Sequence, residues 1–455
     1  MDRTTDYTEK VVEDITGRFR EKLQTWLEEA KGSEAITLGE MERKVRAGMH
    51  DLSGEVLQGL VDAVGTGKTE APVPCPACDN PLEFVRYQGK WVGTLLGTIR
   101  PERAYFYCAD CEQSHVPLDH QLGLGADSLS ESLEEAVCLL AAHMPLEEVA
   151  NNLERLLMVS VDDNTIQRAV ERVGSAMVAH QQQDMERAWQ EAEPPDMEVE
   201  KPPERLYIAT DGTKVHLRDG WREVKVAAIY ETEAVSQADG GTDIRAVDIS
   251  YVVSLEDAET FARYVYLTAA RRGLHQAEEV VVLGDGAEWI WNRIADFCDK
   301  PVEILDFYHA SVHVRNVGQA LYGEDTPETE EWVGQRLAEL LEEGPDAMLA
   351  SIWQAAGEAP AAVKKVLVQE IGYFNKHKQR MRYPELRDAG YHIGSGSVES
   401  ACKRIIGGRL KQGGMIWSRA GAEAMAHVRA AVLGDRWDEF WGSYDRATRT
   451  HQLAA

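Results

Sequence analysis

The stretch RLYIATD at residues 205–211 decides the fold, because it is the first of five short apolar runs that can form a buried sheet. Two similar runs follow it closely, and two more come after a stretch with helical periodicity. Short runs rich in β-branched and aromatic residues that alternate with helical stretches predict an α/β core. The five runs are RLYIATD (205–211), EVKVAAIY (223–230), IRAVDISYVV (244–253), EVVVLGD (279–285) and VEILD (302–306).

Four cysteines form two C-x₂-C pairs with 29 residues between the pairs: Cys75, Cys78, Cys108 and Cys111. Two such turns can present four thiolates to one Zn²⁺ ion in a tetrahedral arrangement. Four sulfur ligands leave no open position, so we expect one structural Zn²⁺ in a zinc ribbon. A redox dithiol or a disulfide is the alternative. The remaining cysteines are expected to be core thiols: Cys138, Cys298 and Cys402.

Residues 145–173 have the pattern of two short helices joined by a turn. Asp162 and Asp163 can cap the second helix, whose apolar positions would face inward. Arg168 and Arg172 would then face outward, where a recognition helix contacts a DNA groove. Any packed helical hairpin gives the same pattern, so DNA reading and plain packing both remain open.

Three carboxylates lie where a rigid scaffold can direct them into one cleft. Asp211 and Asp285 end predicted strands and each precedes a glycine, and Glu399 lies in the first turn of a predicted helix. Three carboxylates supply the hard oxygen ligands that Mg²⁺ or Mn²⁺ prefers. Two such ions can stabilise the attacking and leaving oxygens of a phosphoryl displacement. Taken singly, each acid fits a capping or turn residue better than a catalytic one, and only the set of three favours catalysis. Their order along five strands and a late helix is that of an RNase H-like nuclease core.

The charge is unevenly distributed. The chain has 48 basic and 77 acidic side chains, a net charge of −29, which argues against general nucleic-acid binding. Residues 361–430, however, hold thirteen basic and five acidic side chains. Such a basic region on an acidic body predicts contact with a polyanion. The expected phosphate contacts there are Lys403, Arg404, Arg409 and Lys411, and Trp417 could either stack on a base or pack in the core.

The composition also bounds the location of the protein. Seven cysteines are too few for a disulfide scaffold, and the charged N-terminus lacks the apolar core of a signal peptide. There is also no run of about 18 apolar residues that could span a bilayer. We therefore expect a cytoplasmic, nucleoid-associated protein with no membrane partner.

Four sequence motifs point to a known family. IATDGT (208–213), GDGAEWI (284–290), DFYH (306–309) and GSGSVESACK (394–403) resemble the motifs of bacterial insertion-sequence transposases of the DDE type. The chain is most similar to the ISKra-type set, which is related to the Mutator-like superfamily. The resemblance implies that Asp211, Asp285 and Glu399 are the catalytic acids. It further implies that Asp306 and His309 flank the active site.

The predicted fold is multidomain: a helical N-terminal region, a zinc ribbon, a helix-turn-helix-like domain, and an α/β RNase H-like core with an all-α insertion. In chain order the segments are the helical region (1–70), the zinc ribbon (71–120), the helical DNA-binding domain (121–180), an acidic linker (181–204), the first part of the core (205–309), the helical insertion (310–390) and the last core helices (391–455).

The expected function is that of a transposase that binds terminal inverted repeats and catalyses DNA cleavage and strand transfer. It would use two Mg²⁺ or Mn²⁺ ions, and it would act on transposon ends and target DNA as a homodimer or higher oligomer. Two other classes remain open. One is an RNase H-like nuclease without strand transfer, and the other is a non-enzymatic DNA-binding regulator with an inert core.

Overall fold

A computed structural model describes most of the chain as two compact units. One unit comprises Met1–Val170 and Trp441–Ala455, and the other comprises Glu171–Phe440. The described residues are 3–32, 36–125, 127–189, 199–236, 242–294, 297–298, 300–394 and 396–444.

The first unit begins with two long helices, continues with short strands and ends with short helices. Thr37 caps the second helix through a reciprocal bond with Glu40, which fixes where that helix starts. In chain order the elements are α1 (Arg3–Gly32), α2 (Leu38–Val64), β1 (Glu83–Gly89), β2 (Val92–Thr94), β3 (Gly97–Ile99), β4 (Glu102–Cys108), β5 (Gln113–His115), α3 (Pro117–Gln121), α4 (Glu131–Ala141), α5 (Leu146–Asn152) and α6 (Asp163–Trp189). Helix α6 extends beyond Val170 into the second unit.

The strands of the first unit form a small antiparallel sheet, with β4 between β1 and β5, and a separate β2–β3 hairpin. Its core includes Leu82, Ala104 and Phe106, which pack with the two buried cysteines Cys75 and Cys108. The predicted helical N-terminal region is confirmed by α1 and α2.

Helix α6 is longer than the sequence suggested. It continues to Trp189, so residues 181–189 of the segment assigned to an acidic linker are helical. This stretch contains helix formers and no proline, and its buried Asp184 forms ion pairs with Arg187 and Arg271. Residues 190–198 of the same segment lie outside the described residues.

The second unit contains five strands followed by helices, which confirms the predicted α/β region. The five strands occur at the five apolar runs, although β6 to β8 extend further than those runs. The elements are β6 (Arg205–Leu217), β7 (Gly220–Ser236), β8 (Thr242–Ser254), α7 (Ala258–Arg271), β9 (Glu279–Gly284), α8 (Glu288–Ile294), β10 (Val302–Leu305), α9 (Phe307–Tyr322), α10 (Pro327–Glu342), α11 (Pro345–Glu358), α12 (Ala361–His377), α13 (Tyr383–Asp388), α14 (Gly396–Ala401), α15 (Gly408–Leu410), α16 (Arg419–Leu433) and α17 (Trp437–Ser443). The last three residues of α17 belong to the first unit.

The sheet of the second unit has the order β10-β9-β6-β7-β8. The first three strands in sequence, β6 to β8, pair antiparallel, whereas β9 and β10 run parallel to β6. Parallel strands need a crossover connection, and α7 and α8 supply the crossovers here.

Both faces of this sheet are covered. Leu206 and Ile208 belong to a core that also includes Phe261 and Val265 of α7. Because successive side chains point to opposite faces, Tyr207 faces the other way, where its hydroxyl accepts a hydrogen bond from the His392 amide. Helices α14 and α16 also pack against strands of this sheet.

Among the described residues, no helix combines the length and the apolar character that crossing a membrane requires.

Helix α6 approaches α16 so closely that a glycine is needed at the contact. A Cβ atom on Gly174 would lie 2.4 Å from the Ala424 carbonyl oxygen, which is backbone and cannot rotate away. We expect Gly174→Ala to lower the free energy of unfolding by about 1–3 kcal/mol through overpacking. Denaturant unfolding of the purified variant measures this loss.

A matched control is Gly334→Ala in α10, where the added Cβ meets no described atom within 4 Å. This variant should gain about 0.5–1 kcal/mol, since alanine is the better helix former. A similar shift of both variants in the same direction would contradict the close contact at Gly174.

Candidate active site and metal centre

The strand register brings three aspartates to one edge of the sheet. The parallel pairing of β6 with β9 ends at Ala209 opposite Leu283, and Asp211 and Asp285 each follow two residues later, close enough for the charge of Asp285 to act on Asp211. In the same way β10 pairs with β9 up to Leu305, and Asp306 then lies beside Asp285. Adjacent strands are about 4.8 Å apart, so the backbones of the three acids are close neighbours.

The same alternation fixes the face on which these acids lie. Residues 207, 209 and 211 share one face of β6, and this is the face that Tyr207 presents to His392. Helix α14 packs against β6 and β7 and carries Glu399 in its first turn. The fold therefore brings Glu399 toward the edge of the sheet that carries the aspartates.

Asp211 is not at a strand end, contrary to the expectation from sequence. Strand β6 continues through it to Leu217, because β7 pairs with β6 from Tyr207 to Leu217 and Val215 and Leu217 are buried. Only the pairing with β9 stops before Asp211. The next residue is Gly212, where an added Cβ would lie 2.8 Å from the carboxylate of the exposed Glu223 side chain, which would have to move aside.

The surroundings of Asp211 disfavour its charged form. Burial raises the pKa of its carboxyl, and the nearby charges of Asp285 and Asp306 raise it further. Hydrogen bonds from the Gly212 amide, at 2.7 Å, and from the Cys402 thiol act in the opposite direction. A carboxylate in this position is destabilised by its neighbours, and a bound cation would relieve that repulsion.

Cys402 links Asp211 to Glu399. Its side chain is buried, and burial together with the charges of Asp211 and Glu399 raises the pKa of its thiol. The thiol is thus protonated at neutral pH and donates to Asp211. Sequence reasoning identified this residue as a core thiol and missed the contact, although its position three residues after Glu399 puts both on one helix face.

Asp285 lies in a tight turn between β9 and α8. Its Oδ1 atom accepts a hydrogen bond of 2.9 Å from the Ala287 amide, and its carbonyl oxygen accepts one of 3.1 Å from the Tyr373 hydroxyl. Gly286 has a φ of +93°, a backbone conformation that favours glycine.

Asp306 caps helix α9. Its two carboxylate oxygens accept hydrogen bonds from the amides of Tyr308, at 3.3 Å, and His309, at 3.0 Å. Its own amide donates to the Gly284 carbonyl, which ties the start of α9 to the end of β9. The His309 ring is half-buried and lies 5.2 Å from the ring of His313, one turn along the helix.

Glu399 forms an ion pair with Lys403, with 2.6 Å between Oε1 and Nζ. A metal site needs at least three His, Cys, Asp or Glu side chains with their ligand atoms close together. Among the described residues, only the four cysteines have all these atoms within 4.8 Å of one another. Asp211, Asp285 and Glu399 do not form such a closed ligand set.

The predicted phosphate contacts differ in exposure. Lys403, Arg404 and Lys411 are exposed, and Lys411 contacts the Thr213 hydroxyl on β6. Arg409, in contrast, is 1% exposed, with its guanidinium 5.2 Å from the centre of the Trp417 ring. This burial argues against direct phosphate contact by Arg409 and is a correction to the predicted set.

Trp417 packs within the fold. Its indole N–H donates to the Leu410 carbonyl, and its backbone pairs with His216 and Arg218 at the end of β6. These contacts favour the packing role over base stacking.

The two arginines predicted on a recognition helix both lie on α6. Asp162 caps this helix by accepting a 3.0 Å hydrogen bond from the Thr165 amide, as the sequence suggested. Arg168 is exposed and donates to the Thr165 hydroxyl, whereas Arg172 is half-buried. The preceding turn contains Met158 in the left-handed region, with a φ of +57°.

The four cysteines form a compact cluster in the first unit. The Sγ atoms of Cys75 and Cys111 are 3.9 Å apart, and those of Cys78 and Cys108 are 3.6 Å apart. Sulfurs about 2.3 Å from a tetrahedral Zn²⁺ would be separated by nearly these distances. The His115 Nε2 atom lies 3.6 Å from the Cys75 sulfur, where it could support that ligand.

The backbone around each cysteine pair suits thiolate ligands. A residue with positive φ follows the second cysteine of each pair, Asp79 at +58° and Glu112 at +54°. Burial opposes ionisation of Cys75, but hydrogen bonds from the amides of Ala77 and Cys78 bring the pKa of its thiol down to about 7. The residues therefore fit a structural Zn²⁺, and the cluster could bind a metal without an open position for chemistry.

The comparisons with known proteins identify one family. Residues 31–440 match the sequence profile of UPF0236, which is described as an uncharacterised protein family. The "UPF0236 protein in vanSb 3'region" of Streptococcus gallolyticus is 24% identical over 398 residues, which cover 82% of this chain and 79% of that protein.

Loss of one cysteine ligand should release the metal. We expect wild-type protein to contain one Zn²⁺ per chain and the variants Cys78→Ser and Cys111→Ser to contain much less, because three thiolates bind more weakly than four. Native mass spectrometry of each protein measures the metal content.

Cys298→Ser is the control, since Cys298 is a buried thiol outside the cluster. It should keep its Zn²⁺. A wild-type chain without metal, or equal metal content in all the variants, would show that the cluster is not a zinc site.

Proposed function

This chain belongs to the UPF0236 family, and we propose that it is a DDE transposase of an insertion sequence, of the ISKra type within the Mutator-like superfamily. The observation that carries the proposal is the register of β6, β9 and β10, which aligns Asp211, Asp285 and Asp306 on the face that α14 covers with Glu399. The matching profile and the relative from Streptococcus gallolyticus establish the family, and neither description names an activity.

The strand order supports an RNase H-like core. Three antiparallel strands followed by two parallel ones, in the order β8-β7-β6-β9-β10, are what that fold requires. In open sheets of this kind ligands bind beyond the carboxyl ends of the parallel strands, and the candidate acids occupy that edge. Helices α9 to α13, between β10 and α14, form the all-helical insertion of the proposal.

Asp211, Asp285 and Glu399 are the proposed ligands of two Mg²⁺ or Mn²⁺ ions. When bound, the ions would supply Lewis-acid stabilisation of the attacking and leaving oxygens at the scissile phosphate. To bind a cation, Glu399 has to break its ion pair with Lys403. It can do so because both side chains are substantially exposed, 42% for Glu399 and 74% for Lys403. Lys403 would then be free to contact DNA.

The reaction of the proposal needs no covalent enzyme nucleophile. Water would attack the phosphate at each transposon end and free a 3′-hydroxyl, and that hydroxyl would then attack target DNA. The residues of the chain position the strands and neutralise charge, which is where most catalysis of phosphoryl transfer arises. Asp306 would hold the start of α9 in place by capping it, and His309, in the first turn of that helix, would then lie beside the scissile strand.

DNA contacts are assigned to two regions. Lys403, Arg404 and Lys411 would follow the phosphates next to the acids, and Arg168 and Arg172 on α6 would contact the terminal repeats together with the zinc-ribbon module. Since two transposon ends must be joined, we expect a homodimer or a larger assembly on DNA.

Replacing one acid should abolish cleavage without unfolding the protein. We expect Asp285→Asn to reduce single-turnover cleavage of end DNA in Mn²⁺ by at least about 10³-fold, because the amide cannot neutralise a cation. Circular dichroism checks that the variant is folded.

The control is Asp219→Asn, the same chemical change at an exposed turn where Asp219 pairs with Arg222. It should cleave like the wild type. Full cleavage by Asp285→Asn would refute the assignment.

The same preparation separates a transposase from a nuclease. Given pre-cut ends with free 3′-hydroxyls, the wild type should join them to a supercoiled plasmid. Cleavage without joining would instead identify an RNase H-like nuclease.

A further inference from the structure

The turn that carries Asp285 is covered by helix α12, which comes from the helical insertion. The Tyr373 hydroxyl donates to the Asp285 carbonyl at 3.1 Å. There is no space for a side chain at Gly286, where a Cβ would lie 2.7 Å from the Tyr373 oxygen and 3.3 Å from His377 Nε2. The insertion thus contacts the Asp285–Gly286 peptide at the Asp285 carbonyl and beside the Gly286 Cα.

A second contact is made immediately after the turn. Lys376, one residue before His377 on α12, forms an ion pair with Glu288 at the start of α8. The Asp285 turn is therefore held by α12 both at its carbonyl and at the helix that follows it.

The Tyr373 ring is itself fixed by a polar network. It stacks on His313 of α9, with ring centres 3.7 Å apart and planes inclined by 13°. His313 Nδ1 lies 2.6 Å from a carboxylate oxygen of Glu370, and the other oxygen accepts a 3.2 Å hydrogen bond from Asn316. Glu370 is 7% exposed, so these bonds are sheltered from water and hold the ring in one orientation.

The Tyr373 ring also lies 4.7 Å from the ring of His377, with the two ring planes inclined by 47°. Burial, followed by the charges of Arg380 and Lys376, lowers the pKa of His377 to about 4. This imidazole is therefore neutral at neutral pH and can pack against the turn without adding a charge beside Asp285.

The orientation of the Asp285 carboxylate depends on the backbone of its turn. Its Oδ1 atom accepts a hydrogen bond from the Ala287 amide, two residues further along. Any rotation of the peptide at Gly286 moves that amide and therefore moves the carboxylate. The Tyr373 hydroxyl acts on the same peptide, through its carbonyl.

We propose that Tyr373 is a positioning residue, which fixes the Asp285 carboxylate for cation binding through the Asp285 carbonyl. This inference rests on the proposed function, since it assumes that Asp285 binds a divalent cation. The helical insertion then has a role at the candidate site itself, because cation binding at the sheet depends on α9 and α12 being docked.

The test compares Tyr373→Phe with Tyr391→Phe. Tyr391 donates to Glu279 at 2.9 Å, at the opposite end of the same strand β9, so its variant loses a similar hydroxyl far from the turn. Isothermal titration with Mn²⁺ and single-turnover cleavage of end DNA are measured on the full chain, and thermal unfolding measures the stability of each variant.

We expect Tyr373→Phe to weaken Mn²⁺ binding by about 10-fold or more, as is usual when a residue that orients a metal ligand is changed. Its cleavage rate should fall at low Mn²⁺ and recover partly at high Mn²⁺. Tyr391→Phe should bind Mn²⁺ within about twofold of the wild type. Glu370→Gln, which weakens the support of the ring, should fall between the two.

Asp285→Asn in the same series distinguishes the two ways in which the inference can fail. If Asp285→Asn weakens Mn²⁺ binding but Tyr373→Phe behaves like Tyr391→Phe, the positioning role is overturned and the proposed function stands. If neither Asp285→Asn nor Tyr373→Phe changes Mn²⁺ binding, both are overturned.

Discussion

The pairing of Ala209 with Leu283 is the constraint on which the candidate site depends. Because β6 and β9 run parallel with this register, the next side chains on the same face are Asp211 and Asp285. A shift by one residue would turn one carboxylate into the opposite face and separate the pair. This arrangement destabilises the charged form of Asp211, because burial and the charges of Asp285 and Asp306 together raise the pKa of its carboxyl. The proposed cation site uses this proximity, since a bound cation would offset the repulsion between the acids.

The helical insertion and the sheet form one structure at this edge. Tyr373 contacts the Asp285 carbonyl from a position 88 residues later in the chain. The end of the neighbouring strand is held in the same way, because the buried Tyr383 hydroxyl donates to the Leu305 carbonyl at 2.8 Å. Both contacts are made to backbone carbonyls, so they fix the backbone beside Asp285 and Asp306 without engaging the carboxylates. The helices α9 to α13 therefore support the acids as well as adding surface to the core.

The sequence predicted the parts of this site that depend on local pattern. Apolar runs located the five strands, and the cysteine spacing located a cluster that the fold assembles. Contacts between segments that are distant in the chain have no local pattern in the sequence, so they were not predicted. The depth of Arg409, the hydrogen bond from Cys402 to Asp211 and the position of Tyr373 all arise from tertiary packing. The extension of β6 through Asp211 was also missed, because an Asp-Gly pair favours a turn and only the pairing with β7 overrides it.

Cation binding by Asp211 and Asp285 is the central claim, and diffraction can test it directly. Crystals of the protein grown with Mn²⁺ would give an anomalous difference map that locates each ion without reference to activity. We expect a peak in direct coordination with both Asp211 and Asp285, and Glu399 turned from Lys403 toward the ions. A fully formed sheet with no anomalous peak at this edge, in crystals that bind Mn²⁺ elsewhere, would contradict it.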